Sequence, residues 1–306
     1  MTKRKTIGHY SLGTRRRPPR IVRFIRLGFQ VGGRVTPALA ARWAYKLWFQ
    51  TRRFPEPLRE MRWRAEAASG AVPFKGGELP FYAWGEGPTV LLLHGWNGRG
   101  TQLAGFAAPL VAAGFRAVAF DAPAHGGSPG TATNVFECVE ALETVARAHG
   151  PVHGIIAHSF GVVCATMALQ RGLSAGRMVG ISPPTQLRWM ADRFADRLAI
   201  PPRVQARFEQ RVEAEFGAEV WDRVAADRLA TELDVPALII HDAHDEDVPW
   251  QQGERLAQAW PGARFVRTEG LGHRRILRSP RITEQAIAFL RDRGVTAEGS
   301  VRQAGG

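Results

Sequence analysis

Two cysteines, Cys138 and Cys164, among 306 residues give no disulfide framework to hold a fold. Both lie in apolar helical patterns, where a small buried thiol is the expected role; a thiolate nucleophile would need an electropositive neighbourhood. No run approaches the roughly 20 uncharged apolar residues of a membrane span. The best candidate, 21–49, is interrupted by Arg23, Arg26, Arg34, Arg42 and Lys46. A secretory signal needs a clean apolar centre soon after its basic start, and residues 2–20 have none. Acidic charge is missing from a whole segment: no Asp or Glu precedes Glu56, while fourteen Lys and Arg do. The remaining chain carries 27 basic and 28 acidic residues, so the formal charge of +13 belongs to the N-terminal segment. It says nothing of the charge of a site further on.

What is present is enough apolar material, 45% of residues, to bury a large core, which argues against a disordered chain. Residues 1–20 read as a basic tail. Over 21–49 apolar residues and Arg alternate at helical spacing, and Gly32, Gly33 and Pro37 divide the stretch into two helical pieces. Residues 56–68 form a further charged helical stretch. From about residue 79 short apolar runs alternate with amphipathic ones. Strands are predicted at 89–93, 115–120, 152–158, 177–181, 237–240 and 263–268, with helices at 102–113, 134–148, 160–171, 251–260 and 282–293. Near-continuous apolar strands separated by helices imply a parallel sheet covered on both faces. The rhythm stops between 182 and 232, where the pattern is helical throughout and is broken at Ile200-Pro201-Pro202. The expected division is a basic extension over 1–70, an α/β core over 71–182 and 233–294, a helical insertion over 183–232, and a tail over 295–306.

Four local patterns carry chemistry. Ala157-His158-Ser159-Phe160-Gly161 runs from a strand through a tight turn into a helix, which would project the Ser159 hydroxyl from the carboxyl end of a sheet. Ala157 and Gly161 are the small residues such a turn needs. The plainer alternative is a serine N-cap. Leu93-His94-Gly95-Trp96 places a glycine turn after a buried strand, so that the backbone N–H groups of Trp96 and Phe160 form a candidate oxyanion hole. His241-Asp242-Ala243-His244-Asp245-Glu246-Asp247 follows another strand. Asp245 is the preferred acid, lying within the turn; Asp247 better fits a place beside the next helix. The same run offers a metal reading through His241, Asp242, His244 and Asp245, but no second ligand cluster accompanies it. Gly270-Leu271-Gly272-His273 follows the last strand, with glycines that let the histidine bend over the sheet. The order Ser159, Asp245, His273 is the chain order of a nucleophile, acid and base on an α/β sheet.

With those residues in place the chain resembles the α/β-hydrolase superfamily over 79–293. The phrases are HGWNGRG, FDAPAHGGSPG, AHSFG, ISPP, IIHDAHDEDVP and GLGHRRIL. The resemblance implies a mostly parallel sheet with helices on both faces, with 183–232 as a helical cap over the active site. It also implies a serine hydrolase acting on a carboxylic ester or thioester through an acyl-enzyme, with no metal or organic cofactor. Two departures stand out: Ala157 replaces the usual first glycine of the turn, and Asp242 stands where glycine is common. Ser159 argues against the branches that carry Asp at the nucleophile position. His158, Trp189, Met190 and Phe194 are candidate substrate contacts. Asp121 and His125 are expected to bond structurally, and Arg274 and Arg275 to face solvent.

The basic segment admits two readings. Cations interleaved with Phe, Ile, Leu and Trp over residues 1–55 suit an interfacial helix on an anionic membrane. Trp43, Leu47 and Trp48 instead call for a protein surface to pack on. A cytoplasmic protein is expected, attached to a membrane surface on the first reading; an Arg-rich, acid-free start is also the composition of a transit peptide. The partner expected at the site is a small acyl substrate. A non-catalytic scaffold on the same fold, holding membrane or nucleic acid through the cations, is the competing class, although no recognised nucleic-acid motif accompanies them.

Overall fold

The computed structural model describes residues 19–292. Two N-terminal helices, α1 (Arg20–Val35) and α2 (Pro37–Phe49), are followed by α3 (Leu58–Ala65). A hairpin of β1 (Ala68–Phe74) and β2 (Gly77–Trp84) leads to β3 (Thr89–Leu93), a 3-10 helix with α4 (Ala107–Ala112), and β4 (Arg116–Phe120). The centre of the chain supplies α5 (Val135–Ala148), β5 (Val152–His158), α6 (Phe160–Gln170) and β6 (Met178–Ile181). Four helices then intervene: α7 (Leu187–Leu198), α8 (Pro202–Phe216), α9 (Val220–Arg223) and α10 (Ala226–Leu229). The described chain closes with β7 (Ala237–Asp242), α11 (Trp250–Ala259), β8 (Arg264–Thr268), α12 (Gly272–Arg275) and α13 (Pro280–Arg291).

The eight strands form one sheet in the order β1-β2-β4-β3-β5-β6-β7-β8. β1, β2 and β4 pair antiparallel and every later pairing is parallel. Strand residues alternate between two buried layers. Leu91, Val118, Ile155 and Ile239 join one core with α5, α6 and α11, while Leu92, Ala119, Ile156 and Ile240 join the other with α4 and α13. Burial on both faces explains why these strands read as unbroken apolar runs. β3 lies between β4 and β5, so the chain leaves its carboxyl end to one side while the chain after β5 leaves to the other. That divergence opens a crevice at the carboxyl ends of β3 and β5.

Three features depart from the sequence-based expectation. The charged helix ends at Ala65, and residues 68–84 form a hairpin. Its turn is Lys75-Gly76, both with positive φ, 46° and 76°, which suits the twist of a two-residue connection. Pro73 lies in β1, an edge strand, where proline is tolerated. Secondly, α1 runs unbroken through Gly32 and Gly33, and the chain turns only at Thr36-Pro37. Gly33 is a packing position: a Cβ there would lie 2.8 Å from Pro201 Cγ. Thirdly, the helix expected over 102–113 is divided between the 3-10 helix Gly100–Phe106 and α4.

The N-terminal helices are built onto the helical insertion. Phe29 is fully buried and stacks on Trp43 with ring centroids 4.4 Å apart. Trp48 meets Phe194 and Phe208 edge-on at 5.2 and 5.7 Å. The Arg26 guanidinium donates twice to the Arg197 carbonyl, and the Gln30 amide donates to Ala199 O at 2.7 Å. No described helix is long and apolar enough to cross a membrane.

Candidate active site

Ser159 sits between β5 and α6 with φ 54° and ψ −123°, a conformation an L-residue adopts only when its surroundings enforce it. They do so on both sides. Its N–H donates to Ile181 O at 2.8 Å, and its carbonyl accepts the Val162 N–H at 2.9 Å. A Cβ on Gly161 would lie 2.7 Å from His94 O and 2.9 Å from Leu93 O, so only glycine lets α6 approach β3 this closely. Ala157 is fully buried, its methyl absorbed into the core beside β3. Gly95 does the same from the facing loop, since a Cβ there would meet Ser159 Cβ at 2.9 Å.

His273, on α12, joins two partners. Its Nδ1–H donates to Asp245 Oδ2 at 2.7 Å, and its Nε2 accepts the Ser159 Oγ–H at 3.1 Å. The three side chains come from the segments after β5, β7 and β8, all at the carboxyl edge of the sheet. The Asp245 carboxylate accepts the His273 Nδ1–H on Oδ2 at 2.7 Å and the backbone N–H groups of Asp247 and Val248 on Oδ1 (3.0 and 2.8 Å), while His241 Nε2, which donates to Val248 O at 2.9 Å, lies 3.3 Å from Oδ2. Burial by itself would push this carboxyl up. The adjacent His241 and His273 rings, with the Val248 N–H, outweigh that and hold it well below the usual carboxylate range.

Asp242 contributes what sequence reading left open. At the end of β7, its Oδ1 accepts the N–H groups of His244 and Gly272 (3.0 and 2.9 Å). Its Oδ2 accepts the Leu271 N–H and the Thr268 hydroxyl (3.1 and 2.8 Å). One carboxylate therefore pins the loop carrying His273 to the end of β7, three residues before Asp245. Burial again opposes its ionisation, and these four donors more than compensate. The visible signal was a short-range turn, an Asp two residues before His244; the contacts to 268–272 carry no sequence signature. Asp247 lies out of reach of His273 and faces Arg197 across 3.8 Å. Among the described residues no group of three or more His, Cys, Asp or Glu side chains is arranged to hold a metal ion. Arg275 is exposed and donates to the Gly270 and Leu271 carbonyls.

His158 lies against the base. It is buried, its Nε2–H donates to the His273 carbonyl at 2.8 Å, and its ring lies 4.7 Å from the His273 ring. Burial, then the nearby His273, lowers it to about 3, so it stays neutral and braces the base from below. Asp121 receives the N–H groups of Gly100 and Gly127 (2.7 and 2.8 Å) and the Tyr82 hydroxyl, tying together the loops after β3 and β4.

Phe160 opens α6, so its N–H is one of the donors a helix leaves unpaired at its first turn. Trp96 follows Gly95, and its ring meets the Phe160 ring edge to face at 5.2 Å. A small cavity of about 20 Å³ adjoins them, lined by Gly95, His125, Cys138, Phe160 and Cys164 among others. Trp189, Met190 and Phe194 do not line it. Phe194 is taken up by Trp48 and Phe208, fastening α7 to α2 and α8, and Trp189 and Met190 are half-buried along α7.

A family model described as the alpha/beta hydrolase family matches residues 90–286. Solved structures with the same fold include an esterase from Rhodococcus sp. (18% identity, TM-score 0.57, covering 74% of this chain and 99% of that one). A bromoperoxidase from Bacillus anthracis is similar at 15% identity and TM-score 0.58, covering 73% and 99%. A membrane phospholipase A described as a bacterial virulence factor aligns at 18% identity and TM-score 0.58, covering 88% and 97%. No curated protein sequence matches significantly.

Proposed function

The chain belongs to the alpha/beta hydrolase family, and on that premise we propose that it is a serine hydrolase cleaving a carboxylic ester or thioester through an acyl-enzyme. The observation that carries this reading is the continuous line from Ser159 Oγ through His273 to Asp245, at 3.1 and 2.7 Å. In the reaction His273 Nε2 takes the Ser159 proton as Oγ attacks the substrate carbonyl carbon. It then gives that proton to the leaving oxygen or sulfur. Water repeats the sequence on the acyl-enzyme to free the acid. Asp245 stays ionised throughout, holding the Nδ1–H tautomer and stabilising the imidazolium. The backbone N–H groups of Trp96 and Phe160 receive the oxyanion, each contributing about 3 kcal/mol to the barrier reduction.

The fold is shared by a similar structure titled bromoperoxidase and by one titled proline iminopeptidase, so fold by itself does not choose the chemistry. The test is a series of p-nitrophenyl esters of increasing acyl length, with Ser159→Ala in parallel. The reading expects ester turnover with a chain-length optimum, and a loss of several orders of magnitude in the variant with the fold intact. Wild-type-like turnover by Ser159→Ala would overturn it.

A further inference from the structure

Helix α1 carries two apolar faces, and among the described residues only one has a partner. Ile25, Phe29 and Gly33, four residues apart, are buried against α2 and the α7–α8 corner. Ile21, Phe24, Leu27, Val31 and Val35, spaced by three or four residues, form a second stripe along the helix. They are 53–74% exposed, with Leu39 at the start of α2 exposed beside them. Scattered exposed apolar residues are ordinary, but five aligned on one helix are an unpartnered surface. Arg20, Arg23 and Arg34 flank the stripe and are exposed, and no acidic residue lies anywhere in the first 55 residues.

We infer that this face of α1 docks on an anionic lipid surface. An apolar stripe seated at the acyl boundary with guanidinium groups beside it at headgroup level is the pattern an interfacial helix needs. A second copy fits less well: pairing two such stripes would bring Arg20, Arg23 and Arg34 of both copies together with no carboxylate among them. A nucleic acid would use the cations but leave the apolar stripe in water. The orientation is fixed, because Arg26, Gln30 and Gly33 tie the opposite side of α1 to residues 197–204. The bilayer therefore meets the molecule on the side of the helical insertion. None of this depends on the hydrolase reading.

The experiment is co-sedimentation of the full chain with phosphatidylcholine vesicles, with and without phosphatidylglycerol, beside the double variant Phe24→Glu, Leu27→Glu. Binding is expected to require phosphatidylglycerol, to weaken in high salt, and to fall at least about tenfold in the variant. Unchanged circular dichroism and an unchanged urea midpoint check that the variant is folded. Equal sedimentation of both proteins would overturn the inference. So would an absence of vesicle binding, whether accompanied by a dimer that the variant dissociates or by retention of nucleic acid.

Discussion

Asp242 and Asp245, three residues apart in one loop, divide the work of placing His273. Asp245 touches the imidazole; Asp242 touches only backbone and one hydroxyl, yet it holds residues 268–272 against β7. Asp245→Asn should lower kcat about 10⁴-fold, because the amide favours the wrong imidazole tautomer, while Asp247→Asn should change it little. Steady-state kinetics of the two variants would show whether the acid is correctly identified. Asp242→Ala should lower kcat by about 10²-fold with a smaller effect on KM, since a displacement near 1 Å at the base suffices for that loss. An unchanged kcat would mean the loop holds its shape without the carboxylate. Ser159, Asp245 and His273 could be picked out as candidates because each follows a strand-like run and they occur in that chain order. The roles of Asp242, His241 and His158 were not, since each acts through contacts with residues distant in the chain or on another loop.

At the scale of elements, helix-to-strand distance is set by side chains that are missing. Gly161→Ala would place a methyl 2.7 Å from His94 O, forcing α6 away from β3 and moving Ser159 off the Gly95 loop. A loss of about 1–3 kcal/mol in unfolding free energy is expected, together with impaired activity, checked by urea denaturation and ester hydrolysis on the same sample. Phe29→Ala should cost about 3–5 kcal/mol and loosen α1 from the helical insertion, seen as earlier proteolysis within residues 20–35. The parallel strands were readable from the sequence because both faces are buried. The hairpin over 68–84 was not, because the edge strand β1 buries only Val72 and each strand of the hairpin contains a proline. The continuity of α1 was also hidden. Glycine reads as a breaker, and the reason for Gly33 lies 168 residues away in Pro201.

Among the described residues, three of the buried histidines are kept neutral by the fold. Burial lowers His94 to about 4 and both His125 and His158 to about 3. Depressed folded-state values mean that, as pH falls below about 6.5, the unfolded chain binds protons first. Stability is thus retained above about pH 6.5 and lost progressively below it, each histidine contributing about 1.4 kcal/mol per pH unit. Asp245, also depressed, adds to the loss only below about pH 4, where a free carboxyl begins to protonate. Urea midpoints between pH 7.5 and 5 should therefore drop steeply, with about three protons taken up on unfolding near pH 5. A flat profile over that range would mean these rings are not held neutral. The central claim is that Ser159 is the activated nucleophile, and fluorophosphonate labelling read by peptide mass spectrometry tests it most directly. One adduct per chain on Ser159, abolished by His273→Ala, is the result predicted here. Ester hydrolysis that persists while Ser159 stays unlabelled would contradict it.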